Sequence, residues 1–174
     1  QAARGERYDR IVSVGMFEPV GRPQFETFFR ACAEMLSEKG AMLLHTIGRM
    51  GGPAKTDAFT QKYIFPGGYI PALSETLAAS EKARLIATDV ETLRLHYART
   101  LRAWYTRCIE HREKIVATFD ERFFRMWTFY LSGATAAFES GGMCNYQIQF
   151  LRSRHALPLT RDYMAQAEAG LLKH

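Results

Sequence analysis

The sequence predicts an α/β domain, and three observations carry that prediction. Within about forty residues an apolar run, an amphipathic stretch and a second apolar run follow one another, as a strand, a helix and a strand do. A long stretch of helical periodicity comes later, from Leu95 to about Ser140. An alternating segment, Asn145–Arg152, then reads as a last strand. At 174 residues and 47% hydrophobic, the chain can bury one sizeable core and fits one domain.

Asp9–Gly15 alternates and then runs apolar, as expected for a buried strand. Pro23 suits the first turn of a helix. The residues after it place Phe25, Phe28, Phe29, Cys32, Met35 and Leu36 on one face, with Gly40 in the usual terminating position. Ala41–Ile47 is the second strand, and its successive Met42, Leu43 and Leu44 indicate cover on both faces. Such a unit predicts two parallel strands joined by a right-handed crossover. Gly48–Thr60 reads as a polar loop and "KYIFPGGYIP" (62–71) as an ordered one. A short helix is expected over Ser74–Lys82 and a third strand over Arg84–Glu91. The helical stretch from Leu95 is expected as two helices broken near Thr118–Asp120, and Met164–Leu172 as a terminal helix.

No apolar run is long enough to span a bilayer, and no basic-then-apolar leader of the secretory kind is evident. Cys32, Cys108 and Cys144 are widely spaced and odd in number, which favours a reducing compartment over a disulfide framework. None has metal-ligand spacing, and no metal is expected. The net charge is +5, with basic residues crowded between Arg94 and Arg125, a balance that suits an anionic surface. Glu110, Glu113, Asp120 and Glu121 interleave with them. That disfavours a nucleic-acid stripe and keeps a solvated helix face as the plainer reading.

Open parallel sheets bind ligands beyond the carboxyl ends of their strands. Glu18 follows the first strand in "YDRIVSVGMFEPVG" (8–21), and His45 lies at the end of the second. If those strands are neighbours, both side chains face one crevice. The residues alone leave two readings of each: a working group, or a polar residue satisfied at a strand end.

"RIVSVGMFE" (10–18), "LLHTIG" (43–48), "KYIFPGG" (62–68), "HYARTLRAWY" (96–105) and "RMWTFYL" (125–131) occur in this order. With their spacing, they resemble the C-terminal half of the cyclopropane-fatty-acyl-phospholipid synthases, a family related to the mycolic acid cyclopropane synthases. The resemblance covers roughly residues 8 to 152. It implies the S-adenosylmethionine-dependent methyltransferase sheet, which is Rossmann-like, with an inserted helical lipid-binding cap. The family's glycine-rich cofactor loop lies upstream of "RIVSVGMFE", and no Gly-x-Gly loop follows a strand here. Residues 1–174 are therefore expected to be the C-terminal part of a single catalytic domain, inactive without the half that carries the cofactor loop.

The activity that the resemblance implies is methyl(ene) transfer from S-adenosylmethionine to a cis double bond of phospholipid acyl chains. A carbocation forms, and bound bicarbonate takes the proton that ring closure releases. Position by position, Glu18, His45 and Tyr97 match the family's catalytic and bicarbonate-holding side chains, with backbone near Val14 and Ile47 completing that pocket. Val14, Gly15 and Phe17 are the expected cofactor contacts. Phe65, Trp127 and Tyr130 are expected to line the acyl chain, although Phe123, Trp127, Tyr130 and Leu131 also fall at core-helix spacing. A buried anion needs convergent donors, and a carboxylate beside bicarbonate repels it unless a proton is shared. The family histidine after the glutamate is replaced by Pro19, which has no N–H and biases Glu18 toward extended backbone. The implied setting is cytoplasmic and peripheral to the inner face of an anionic membrane, with no nucleic-acid partner and with homodimerisation open. A methyl-branched product and a non-catalytic lipid-binding remnant are the alternatives.

Overall fold

The computed structural model describes residues 5–172. Four strands, β1 (Tyr8–Val14), β2 (Leu36–Arg49), β3 (Ile86–Thr92) and β4 (Met143–Leu151), form one sheet in the order β1-β2-β4-β3. β1 and β2 are parallel neighbours, as the strand–helix–strand pattern predicts, and β4 runs antiparallel to both β2 and β3. The crossover from β1 to β2 comprises a single helical turn, α1 (Phe17–Val20), a 3-10 turn (Arg22–Gln24) and α2 (Phe25–Met35).

Strict alternation on β2 separates the two faces of the sheet. Met42 and Leu44 are fully buried and lie opposite Phe150 and Ile148 of β4. Against them pack α2 and α4 (Leu73–Lys82), with Phe17, Phe25 and Phe29 in the same core. Phe17 stacks on Phe25 at 4.2 Å between ring centroids, and Phe29 meets the Phe150 ring edge-on at 5.3 Å. The opposite face carries Ile47 and Met143, which pack under α5 (His96–Glu110) and α7 (Glu121–Glu139) through Leu101, Leu131 and Phe138. Those helices form the cap, inserted in the chain between β3 and β4.

Several boundaries differ from the sequence expectation. α2 stops at Met35, and Leu36 turns extended (ψ 132°) to begin β2, so Gly40 is not a helix terminator. Between Tyr8 and Arg10 the register on β2 jumps from Leu36 to Ala41, which leaves residues 37–40 bulged from the ladder. A Cβ on Gly40 would lie 2.7 Å from Leu36 Cδ1, so glycine lets the Leu36 side chain fold over the bulge. Leu36 continues the helical apolar spacing, and that spacing conceals the switch.

β2 also runs on to Arg49, because β4 pairs with it as far as Met143 and Arg49 bridges Ala72. Gly48 is thus a strand residue rather than the start of a loop. The Tyr146 ring covers it, 2.4 Å from where a Cβ would stand. α3 (Ala58–Tyr63) begins within the expected polar loop, capped by Asp57, whose Oδ1 accepts the Thr60 N–H at 2.8 Å. The cap has a third helix, α6 (Arg112–Thr118), because the chain also breaks at His111. The expected break after Thr118 is present. α8 (Asp162–Leu171) closes the described chain.

Candidate active site

β1 ends at Val14, paired with His45, and Gly15 turns the chain away at φ +60°. The Gly15 N–H still donates to the His45 carbonyl at 3.0 Å. Beyond that point β2 has lost its β1 neighbour, and the next inward N–H, that of Ile47, needs a new acceptor. Glu18 supplies it: Oε1 accepts the Ile47 N–H at 2.7 Å, where the next strand carbonyl would otherwise stand. Glu18 sits in the helical turn α1, not in the extended conformation expected before Pro19. Two bonds hold it there, this one and the Tyr69 N–H to the Glu18 carbonyl at 3.1 Å. Pro19 itself costs little, since first-turn N–H groups have no intrahelical acceptor.

His45 lies inside β2, four residues short of its end, and not at the strand terminus. Tyr97 stands in the first turn of α5, packed on the Phe138 and Trp104 rings at 5.1 and 5.8 Å. Burial raises the Tyr97 phenol above its ordinary value, and the Glu18 charge raises it further. The Tyr130 phenol is pushed up to about 12, by burial first and then by Tyr97. Both phenols therefore remain neutral hydrogen-bond donors at neutral pH.

Glu18, His45 and Tyr97 line one cavity of about 920 Å³ between the carboxyl ends of β1 and β2 and the cap. Val14, Gly15, Ile47, Phe65 and Tyr130 line it too, with the Phe65 and Tyr130 rings edge-to-face at 6.1 Å. Two of the expected site residues lie elsewhere. Phe17 is fully buried in the core under the opposite face of the sheet. Trp127 packs against the cap core and reaches the cavity only through Tyr130, 5.3 Å away. Ile47 contributes by orienting Glu18, because its N–H is already engaged.

Asn145 is a polar lining residue that sequence reasoning missed. It is 6% exposed, and its Nδ2 lies 3.0 Å from His45 Nε2. Of the three amide residues in the "MCNYQIQFL" strand it is the buried one, Gln147 and Gln149 being half-buried, and a polar side chain so placed is the signal that marks it. Glu18 Oε2 and Asn145 Oδ1 are both buried without a donor. A ligand carrying an O–H satisfies such acceptors. At Gly15 no atom lies within 4 Å of a virtual Cβ, so open space adjoins Val14.

A sheet with one antiparallel strand, β4, set between β2 and β3, a cap inserted before that strand and a cavity at the strand ends define an S-adenosylmethionine-dependent methyltransferase fold. The chain superposes on the mycolic acid cyclopropane synthase CmaA1 complexed with SAH and CTAB with a TM-score of 0.76 and 28% identity, over 83% of this chain and 55% of that one. It belongs to the mycolic acid cyclopropane synthetase family, whose model matches residues 3–148. It is 37% identical over 147 residues to the cyclopropane-fatty-acyl-phospholipid synthase of Escherichia coli (strain K12), covering 84% of this chain and 38% of that protein. To a probable fatty acid methyltransferase of Pseudomonas putida it is 36% identical over 168 residues, 91% of this chain and 42% of that protein. The chain thus spans about two fifths of the length of these two relatives.

Proposed function

We propose that residues 1–174 are the C-terminal part of a catalytic domain that converts a cis double bond of a phospholipid acyl chain into a cyclopropane, the cofactor loop lying upstream. The observation that carries this reading is the convergence of Glu18, His45 and Tyr97 on one largely apolar cavity, with Glu18 Oε2 buried and unpartnered. S-adenosylmethionine supplies the methyl group, and bicarbonate a base for the proton released on ring closure.

This chain's residues do the positioning. The Ile47 N–H fixes the Glu18 carboxylate, leaving Oε2 as the acceptor for a ligand O–H. The Tyr97 phenol, kept protonated by burial and by Glu18, donates toward an anion. Phe65 and Tyr130 wall the cavity with apolar surface and ring faces, which exclude water and favour a cationic intermediate. At the outer surface of the cap, Trp104, Tyr105, Ile109 and Phe119 are exposed among arginines, a composition suited to an anionic membrane interface. Among the described residues no helix is long and apolar enough to cross a membrane. The proposed setting is the cytoplasmic face of the membrane.

Mass spectrometry of lipids from cells expressing the full-length protein tests the reaction. Gain of one CH₂ with loss of the double bond is expected, and an unchanged lipid profile sinks it. Glu18→Gln, His45→Ala and Tyr97→Phe should each lower turnover by roughly 10²-fold while vesicle binding stays as in the wild type. Wild-type turnover in all three removes the anion-pocket assignment. Pro19 favours a second reading. It lines the cavity where the family usually has histidine, and a relative carries the name of a fatty acid methyltransferase. Gain of CH₂ with the double bond retained would establish that methyl-branched outcome instead.

A further inference from the structure

Asn145 stands in β4 directly opposite Ile47, and its carbonyl accepts the Leu93 N–H at 2.8 Å, so its backbone is held from both sides. Its amide nitrogen, 3.0 Å from His45 Nε2, can only donate. With the amide nitrogen on that side, the bond uses a lone pair on Nε2, as in the tautomer that carries its proton on Nδ1. An N–H at Nε2 would set two donors against each other beside the buried Asn145 amide.

We propose that Asn145 is a positioning residue that holds His45 as the neutral Nδ1–H tautomer. The ring then offers Nδ1–H to the cavity as a hydrogen-bond donor, while its Nε2 lone pair is engaged by Asn145. This rests on the reading of the cavity as the anion-holding site of methyl transfer, and it deepens that reading in one respect. It takes Nε2 out of the set of bases and counts His45 with Tyr97 among the donors. It also accounts for Asn145 Oδ1 lacking a protein partner, since the amide is oriented by His45 through its nitrogen.

The test is ¹⁵N NMR of the His45 ring in the full-length protein at neutral pH, the signals being assigned by their loss in His45→Gln. A protonated Nδ1 and an unprotonated Nε2 are expected in the wild type. Asn145→Leu removes the donor and should let the Nε2–H form appear. The near-isosteric Asn145→Asp presents only acceptors and should protonate Nε2. Both should lower kcat about 10-fold with KM for lipid unchanged. A wild-type ring protonated at Nε2, or a ring pattern unchanged in Asn145→Asp, overturns the proposal. If Asn145→Leu fails to fold, the wild-type spectrum and the Asp variant still decide. Lipid mass spectrometry separates the two levels. Cyclopropane lipid made by a protein with an Nε2–H ring overturns the positioning role alone. An Nδ1–H ring in a full-length protein that makes no methylated lipid overturns the functional reading alone.

Discussion

Adjacent residues of α1 divide their work between two faces of the sheet. Phe17 fills the core on Phe25 and Phe29, whereas Glu18 bonds Ile47 beside the cavity on the other side. Phe17→Ala should therefore cost about 3–5 kcal/mol in denaturant unfolding, the range for truncating a buried phenylalanine. An unchanged midpoint with lost cofactor binding would instead return Phe17 to the site. Tyr130 offers a pH test. An unfolded phenol ionises near 10 and the folded one at about 12. Below pH 10 both states hold the proton and its contribution to stability is complete. Between pH 10 and 12 the unfolded state gives up the proton first, so stability falls as pH rises. Urea midpoints across that range should fall less steeply for Tyr130→Phe than for the wild type. Glu18 and His45 were legible as neighbours in one crevice because ligands bind beyond the strand ends of parallel sheets, although His45 lies inside β2 and not at its end. Asn145 was not, since its partner lies 100 positions away and no local pattern registers that pairing.

At the level of elements, periodicity gave the strands and helices their identity but not their limits. Leu36 extends the apolar face of α2 by one more position, and only the pairing of Leu36 with Tyr8 reveals that a strand has begun. The glycines misled for a related reason. Gly40 and Gly48 look like punctuation, yet one relieves a bulge and the other yields its face to the Tyr146 ring. Gly48→Ala should destabilise by about 1–3 kcal/mol, as overpacking does. Tyr146 is pinned by its hydroxyl to the Arg49 carbonyl at 3.0 Å and has little freedom to move aside. Thermal unfolding of the variant measures this, and an unchanged Tm would show that the ring yields freely. For α3, which carries lining residues, Asp57→Ala removes a cap worth about 1 kcal/mol. The Thr60 N–H holds the Asp57 carboxyl below its ordinary value, so the cap's contribution is present above pH 4 and lost as pH falls further. Hydrogen exchange in 58–63 should rise in the variant and, at acid pH, in the wild type.

Across the whole molecule, the sheet carries a core on one face and a cavity roofed by a helical cap on the other. The sequence showed the layers through the strand–helix–strand unit, whereas the cavity needed the antiparallel return of β4. The cap's basic residues are partly neutralised at home: Arg102 pairs with Glu139 at 2.5 Å and Arg112 with Glu121 at 2.7 Å. Attraction to anionic vesicles should thus be modest, at most about 1 kcal/mol for each remaining arginine near the surface. It should weaken with added salt. Serine at exposed Phe119 should reduce vesicle cosedimentation without altering unfolding, and equal binding to neutral and anionic vesicles would refute the electrostatic part. The position of β4 also governs when the protein can assemble. It is the last strand among the described residues but lies between β2 and β3, so β3 has no partner until β4 arrives. During synthesis, β2 therefore waits with an open edge while about a hundred further residues emerge, and the His45–Asn145 contact closes among the last. A nascent chain stalled before residue 143 would hold a half-built sheet with an exposed strand, a form that chaperones must shield from pairing with its neighbours.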